Sequence, residues 1–214
     1  MQNPSYELRD AVKYIEPLLP DIPDLPYAEN ALSGVPIQPT VGTHAAALLE
    51  VLICTRRPQR ILEIGTSFGY AACVMGRVAA EYGGSVTTIE VREELASAAR
   101  RNVAAKGLTD TVEVIQADAD DVIEELAGPY GLILQDGHKM KYASLLDRLV
   151  SKLESNGILV TDDVLFPVMK LPESVASWQT AVDQYNRMLT IHPQLHTVWL
   201  PIGDGIAVSV KRAE

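Results

Sequence analysis

Residues 61–70 read ILEIGTSFGY and decide the fold. A short apolar run from Ile61 to Ile64 leads into a turn that holds Gly65 and Gly69, and an apolar helical stretch follows. Two glycines in a turn let the backbone approach a bound molecule more closely than any side chain would allow. The stretch therefore predicts a strand, a ligand-binding turn and a helix, which is the first unit of a parallel α/β sheet.

The rest of the chain repeats this alternation of short strand-like runs and longer amphipathic ones. The predicted strands are 60–64, 85–90, 111–116, 131–135 and 157–161, and the predicted helices lie near 43–55, 70–82, 93–106, 120–127, 140–153 and 173–190. Two later strand-like runs, 195–200 and 206–210, flank a tight connection and should pair antiparallel. The fold class is therefore α/β: a Rossmann-like, doubly wound, seven-stranded sheet with helices on both faces, a carboxyl-terminal antiparallel hairpin and one reversed strand at its edge.

A different kind of sequence precedes this alternation. Residues 5–19 predict an amphipathic helix, and a proline-rich passage follows it. The chain has 214 residues without a linker or repeat, which predicts a single domain, 1–214, with 1–42 as an amino-terminal cap. Small α/β enzymes are commonly twofold dimers, so we expect a homodimer with this cap as the contact.

Composition narrows the function classes. The net charge is -10, which opposes non-specific attraction to nucleic acid, and no apolar run approaches the ~18 residues of a membrane span. The amino terminus lacks a basic region followed by an apolar stretch, so a cytoplasmic location is the expectation. Cys54 and Cys73 lie in apolar helical stretches and predict neither a disulfide nor a thiolate metal site.

Three aspartates follow two of the predicted strands. Asp136 comes directly after 131–135, and Asp162 and Asp163 follow 157–161. Because the carboxyl ends of parallel strands meet at one edge of a sheet, these side chains should converge. Three carboxylates repel one another unless a hard cation neutralises them, and oxygen ligands suit Mg²⁺, Mn²⁺ or Ca²⁺. The pattern indicates a metal site, although the same aspartates would also fit capping and loop roles.

Acidic residues at the ends of two other strands indicate a nucleoside. Glu90 ends the second strand about twenty residues beyond the glycine turn, where an acid accepts hydrogen bonds from ribose hydroxyls. Asp118 and Ala119 follow the third strand, where an adenine ring could lie. The third glycine of the dinucleotide fingerprint is missing, which argues against nicotinamide and flavin cofactors.

Together these motifs resemble the class I S-adenosylmethionine (SAM)-dependent methyltransferases. Asp136 with Lys139, TDDVLF at 161–166 and LPIGDGIA at 200–207 further resemble the divalent-metal-dependent O-methyltransferases that include catechol and caffeoyl-CoA O-methyltransferases and small bacterial relatives. The resemblance implies that Lys139 is the catalytic base. It implies Asp136, Asp162 and Asp163 as ligands of Mg²⁺ (or Mn²⁺ or Ca²⁺). The cofactor-binding residues that it implies are Thr40, Val41, Glu63, Gly65, Ser67, Gly69, Tyr70, Glu90, Asp118, Ala119 and Asp136.

Two positions depart from that family's pattern. Asp163 stands where the family has asparagine, which adds a negative charge that should tighten metal binding and weaken the metal as a Lewis acid. Gln135 stands where an aliphatic residue normally precedes the aspartate.

The resemblance also implies a mechanism. A phenol has a pKa near ~10 and is mostly protonated at neutral pH, and metal coordination would lower that pKa. Lys139 would then take the proton, for which its own pKa must fall. His138 should point elsewhere if Lys139 faces the metal.

The methyl acceptor is the least determined feature. A small catechol-like or other hydroxylated aromatic molecule is the leading interpretation, with an aromatic wall drawn from Tyr27, Phe166, Trp178, Tyr185 and Trp199. Residues 182–205 also resemble bacterial enzymes that methylate 5-hydroxyuridine in tRNA, but Arg187 is the only basic residue of the predicted helix 173–190. A non-catalytic SAM-fold binding protein is the alternative from another class, supported by the departures at Gln135 and Asp163.

Overall fold

Seven strands form the sheet that the sequence predicts. In this computed structural model, residues 8–19 and 41–213 are described. The strands are β1 (Arg60–Ile64), β2 (Ser85–Glu90), β3 (Val112–Gln116), β4 (Tyr130–Gln135), β5 (Leu153–Thr161), β6 (Leu195–Leu200) and β7 (Ile206–Lys211). Their order across the sheet is β3-β2-β1-β4-β5-β7-β6. The strands β1 to β5 are parallel, and β7 runs antiparallel to both β5 and β6.

Helices cover both faces of this sheet. They are α1 (Leu8–Ile15), α2 (Gly42–Arg56), α3 (Tyr70–Ala80), α4 (Glu93–Ala105), α5 (Ala119–Val122), α6 (Tyr142–Lys152) and α7 (Ser177–Ile191). One hydrophobic core lies between the sheet and α2, α3 and α4, and a second lies between the sheet and α5, α6 and α7. Every residue of β4 is buried, as expected for a central parallel strand with both faces covered. The doubly wound α/β prediction is confirmed.

The strand order reverses between β1 and β4. The chain moves outward from β1 to β2 and β3, and then crosses back to place β4 on the other side of β1. The crevice outside the carboxyl ends of the strands at such a reversal is where open α/β sheets bind ligands. Both the glycine turn after β1 and Asp136 after β4 lie at this point.

The reversed strand is not at the edge, contrary to the sequence prediction. β7 lies between β5 and β6, and β6 forms the edge. β7 pairs with β5 on one side and with β6 on the other. Ile206 and Ala207 of β7 are accordingly buried, whereas Val198 and Trp199 of the edge strand β6 are 51% and 38% exposed.

Three elements of the region 41–213 differ from their predicted bounds by more than two residues, and the first is β5, which begins at Leu153 instead of 157. The helix predicted at 120–127 ends at Val122, and several carbonyls that follow accept hydrogen bonds from side chains. Lys152 donates to the carbonyls of Glu124 and Leu126, and Arg60 donates to those of Ala127 and Gly128. The predicted helix 173–190 divides into a 3₁₀ turn, Glu173–Val175, and α7.

The amino-terminal helix is only partly described. Within the predicted helix 5–19, α1 is followed by a 3₁₀ turn, Glu16–Leu18, and residues 1–7 and the proline-rich passage 20–40 lie outside the described residues. None of the described helices is both long enough and apolar enough to cross a membrane.

Candidate functional site

A cavity of about 540 Å³ opens at the carboxyl ends of the parallel strands. Its lining follows the order of the strands, with Asp118 and Ala119 after β3, Glu90 at the end of β2, Gly65 and Ser67 after β1, Asp136 and Lys139 after β4, and Asp162 and Asp163 after β5. The sheet therefore brings most of the predicted site residues together at one edge.

The glycine turn depends on close backbone contacts. Gly65 has φ +95°, and a Cβ built there would lie 2.4 Å from the carbonyl oxygen of Asp136, so only glycine lets the ends of β1 and β4 meet. Gly69 has φ +84°, and a Cβ there would lie 3.1 Å from the Cβ of Ala99 on α4. Gly69 thus supports the turn by packing, and it is not among the residues that line the cavities described here.

Glu90 is held where the sequence predicts a ribose. Its two carboxylate oxygens accept hydrogen bonds from the backbone amides of Ser67, at 2.9 Å, and Arg92, at 3.0 Å. Burial raises the pKa of Glu90, and these two amides oppose the rise. The Oγ of Ser67 is buried beside it without a hydrogen-bond partner in the described part of the chain. A carboxylate fixed by amides and an unsatisfied hydroxyl fit a polar, hydroxyl-bearing ligand.

Asp118 lines the cavity but already has strong partners. Lys141 donates to its two oxygens at 2.7 and 2.6 Å, and the amide of Asp120 donates to it at 3.0 Å at the start of α5. The Lys141 hydrogen bond is the main reason that the pKa of Asp118 is lowered. Ala119 is buried and lines the same part of the cavity. The adenine contact of Asp118 stays a prediction, and Lys141 is a neighbour that sequence reasoning missed.

A second, much smaller cavity of about 10 Å³ lies behind the glycine turn. Six of the predicted cofactor residues line it: Val41, Glu63, Gly65, Ser67, Tyr70 and Asp136. Thr40 lies outside the described residues. Glu63 is 1% exposed. Burial raises its pKa well above the ordinary value, although the hydrogen bond from Thr88 acts to lower it.

Lys139 lies among the three aspartates predicted to bind a metal. Its Nζ is 3.0 Å from Oδ1 of Asp136 and 2.5 Å from Oδ2 of Asp163, and it is 5% exposed. Burial alone would lower the pKa of Lys139, but Tyr142 and the charges of Asp136 and Asp163 raise it well above its ordinary value. Among the described residues, no three His, Cys, Asp or Glu side chains are arranged to hold a metal ion. In this arrangement Lys139 is an ammonium ion, so the fall in its pKa that the mechanism needs is not seen.

One lysine leaves the cluster with excess negative charge. Burial raises the pKa of Asp162 to about 9, and the charges of Asp136 and Asp163 add to this effect. Burial likewise raises the pKa of Asp136 to about 6, although Lys139 opposes the rise. The donor set consists of carboxylate oxygens alone, and its charge is what a hard divalent cation would neutralise. The residues therefore fit such a cation in chemistry and in charge.

The backbone around these aspartates is tightly held. Asp163 has φ +64°, a conformation that aspartate and asparagine tolerate better than most residues. Its amide donates to Oδ1 of Asp162 at 2.8 Å, and the Tyr142 hydroxyl donates to the carbonyl of Asp162 at 3.2 Å. Asn186 of α7 donates to the carbonyl of Val164 at 2.8 Å. The turn is thus fixed from α6 and α7.

Aromatic rings form the wall of the cavity beyond the aspartates. The rings of Phe166 and Trp178 are parallel within 2° with centroids 6.1 Å apart, and His138 meets Trp178 edge-on at 5.6 Å. All three line the cavity, and His138 contacts Trp178 whereas Lys139 contacts Asp136 and Asp163. Two other members of the predicted wall lie elsewhere, since Tyr185 is buried in the core and Trp199 is on the edge strand. Tyr27 lies outside the described residues.

Comparisons with known proteins agree with this geometry. Residues 29–212 match the O-methyltransferase family profile. The catechol O-methyltransferase of Mycobacterium tuberculosis is 30% identical over 80% of this chain and 80% of its own length. The catechol O-methyltransferase of Niastella koreensis is 27% identical over 86% of each chain. The SAH-bound structure of a Podospora anserina methyltransferase superposes with a TM-score of 0.80 at 22% identity, covering 100% of this chain and 99% of that chain.

The fold, the residues that line the crevice and the match to the family profile define a Rossmann-like methyltransferase. More narrowly, the chain belongs to the class I SAM-dependent O-methyltransferase family, together with proteins named catechol and caffeoyl-CoA O-methyltransferases.

Proposed function

We propose that this enzyme transfers a methyl group to a hydroxyl of a small catechol-like or other hydroxylated aromatic molecule, in a reaction that depends on a divalent cation. The observation that carries the proposal is the buried group of Asp136, Asp162 and Asp163 around Lys139, beside a wall of aromatic rings. The catechol O-methyltransferases named above support the choice of acceptor.

In this proposal, residues in different parts of the site have different roles. When bound, SAM supplies an electrophilic methyl group, and a divalent cation held by the three aspartates supplies positive charge that lowers the pKa of the acceptor hydroxyl. Glu90 and the glycine turn orient the nucleoside, and Phe166 and Trp178 hold the acceptor ring. Positioning of this kind contributes a large share of the rate of a displacement reaction.

Lys139 is the base in this proposal. Its high pKa comes from nearby negative charge, so neutralising Asp136 and Asp163 leaves burial as the dominant effect. Burial disfavours the ammonium form and lowers a lysine pKa. A neutral Nζ at this position can take the proton of the acceptor hydroxyl.

The test is methyl transfer from radiolabelled SAM to a panel of catechols, with Mg²⁺ or with a chelator, and in parallel to unmodified and hydroxyuridine-bearing tRNA. We expect chelator-sensitive labelling of a catechol. Labelling that persists in the chelator would reject metal dependence, and labelling of tRNA alone would establish the tRNA alternative. Labelling of no acceptor would favour a binding protein.

The basic residue of α7 gives little support to tRNA as the methyl acceptor. Arg187 is exposed and pairs with Asp183 at 2.8 Å, one turn away on the same helix. A pair of this kind adds no net positive charge to the helix surface.

We also propose that the enzyme is a homodimer and that the amino-terminal cap is its contact. Val12, Ile15 and Leu18 are 39%, 44% and 66% exposed, and an apolar face of this kind is stabilised by a partner surface. Light scattering that gives the mass of a monomer would reject this proposal.

A further inference from the structure

Three buried polar side chains form a chain of hydrogen bonds beneath the glycine turn. Glu63 and Thr88 are paired residues of neighbouring strands, so their side chains share one face of the sheet. The Thr88 hydroxyl donates to Oε2 of Glu63 at 2.5 Å, and the Thr66 hydroxyl lies 2.5 Å from that of Thr88. Thr66, Thr88 and Glu63 are 3%, 0% and 1% exposed.

The direction of these hydrogen bonds follows from the number of protons. A hydroxyl has one proton to donate, and when Glu63 is ionised Thr88 gives its proton to it. Thr66 must therefore donate to Thr88. Thr66 itself is fixed in the turn, because its amide donates to the carbonyl of Ile89 and its carbonyl accepts from the amide of Gly69. The orientation of the Glu63 carboxyl group is thus tied to the conformation of the cofactor-binding turn.

The small cavity behind the turn suits a positively charged group. Glu63 and Asp136 both line it, and no lysine or arginine is among its lining residues. The methionine end of SAM carries an ammonium group, and hydrogen bonds from an ammonium to a carboxylate are among the stronger ones in proteins. The rest of the nucleoside site, including Glu90 and Asp118, lies in the larger cavity.

We propose that Thr88 and Thr66 are positioning residues for the cofactor: their hydrogen bonds hold the Glu63 carboxyl group so that it receives the ammonium group of the methionine end. Neither threonine touches the reacting atoms. Their loss should weaken binding of the amino-acid part of the cofactor and leave binding of the adenosine part unchanged.

Isothermal titration calorimetry with two ligands tests this proposal. S-adenosylhomocysteine contains the amino-acid part, and 5′-methylthioadenosine lacks it. For Thr88→Val, which removes the hydroxyl and keeps the shape, we expect about tenfold weaker binding of S-adenosylhomocysteine. Binding of 5′-methylthioadenosine should change by less than about twofold. In kinetics, the KM for SAM should rise while kcat and the KM of the acceptor stay near their original values.

Two further variants serve as controls. Thr88→Ser keeps the hydroxyl and should restore binding. Thr87→Val removes a hydroxyl from the next residue of the same strand, which points to the other face of the sheet and hydrogen-bonds Tyr130. This variant should bind both ligands like the original protein.

If Thr88→Val weakens the binding of both ligands equally, the proposal is overturned, because the result would show a general disturbance of the site. Unchanged binding of S-adenosylhomocysteine would overturn it as well. If Thr88→Val does not fold, Thr66→Val at the outer end of the chain gives the same comparison, with the same selective loss expected.

Discussion

Replacing Lys139 by methionine removes the ammonium group that pairs with two of three largely buried aspartates and keeps the length of the side chain. We expect the metal-free protein to lose much of its stability and a divalent cation to restore it. The matched control is Lys141→Met, two residues further along. Lys141 also pairs with two aspartates, Asp118 and Asp120, but its side chain is 35% exposed.

The magnitude follows from distance and burial. The ammonium of Lys139 lies 3.0 and 2.5 Å from its two carboxylate partners, and its side chain is 6% exposed. Two unit charges this close attract by about 6 kcal/mol at an effective dielectric constant of about 20, and desolvation offsets much of this gain. Removing one member of a buried ion pair costs about 3–5 kcal/mol. An exposed pair such as that of Lys141 contributes about 1 kcal/mol or less.

The assay is urea unfolding in a chelator and in Mg²⁺, at pH 6 and at pH 8. Without Lys139 the carboxylates take up protons more easily, and a buried carboxyl group with a raised pKa destabilises the fold increasingly as pH rises towards that pKa. The cost of Lys139→Met in the chelator should therefore be larger at pH 8 than at pH 6. Mg²⁺ should stabilise this variant more than it stabilises the original protein.

Two results would refute the reasoning. One is a free energy of unfolding for Lys139→Met in the chelator that is no lower than that of Lys141→Met. The other is an equal effect of Mg²⁺ on the original protein and on Lys139→Met, which would show that Lys139 does not compete with a cation for these carboxylates.

Three other predictions concern the turn, the thiols and the metal. Gly65→Ala should cost more than about 2 kcal/mol of unfolding free energy and abolish calorimetric binding of S-adenosylhomocysteine, because its Cβ would collide with the Asp136 carbonyl; a stable, binding variant would contradict this. A thiol reagent should modify exposed Cys54 in the folded protein and reach Cys73, whose pKa burial raises to about 11, only on unfolding; equal rates would contradict this. Because burial raises the pKa of Asp162 to about 9, Mg²⁺ binding should release a proton and strengthen from pH 6 to pH 9, as calorimetry in buffers of different ionisation enthalpy would show; a pH-independent affinity would contradict this.

Strand positions were predictable because periodicity is a local signal. The predicted bounds of β1 and β2 agree with the structure, and apart from an exposed first residue each strand is largely buried on both faces. The place of β7 was not predictable in the same way. Which of two hairpin strands lies inside depends on contacts with β5, which is distant in sequence.

The residues of the candidate site were likewise predictable only where the sequence carries a local signal. Glu90 and Asp136 could be placed from the sequence because Glu90 ends a strand, Asp136 directly follows one, and strand ends meet at one edge. Lys141 and Thr88 gave no such signal. The partners of Lys141 come after β3, and Thr88 reads as an ordinary strand residue until its neighbours Glu63 and Thr66 are known.

The inside position of β7 has a consequence for biosynthesis. The ribosome releases β5 and β6 before β7, yet β6 joins the sheet through β7 alone. Until residues 206–211 emerge, the nascent chain carries β5 as an unpaired edge, and β6 has no strand to pair with. Unpaired edges of partly folded chains are where aggregation begins. We therefore expect chains arrested before β7 to depend on chaperones, whereas chains that include β7 can complete the sheet.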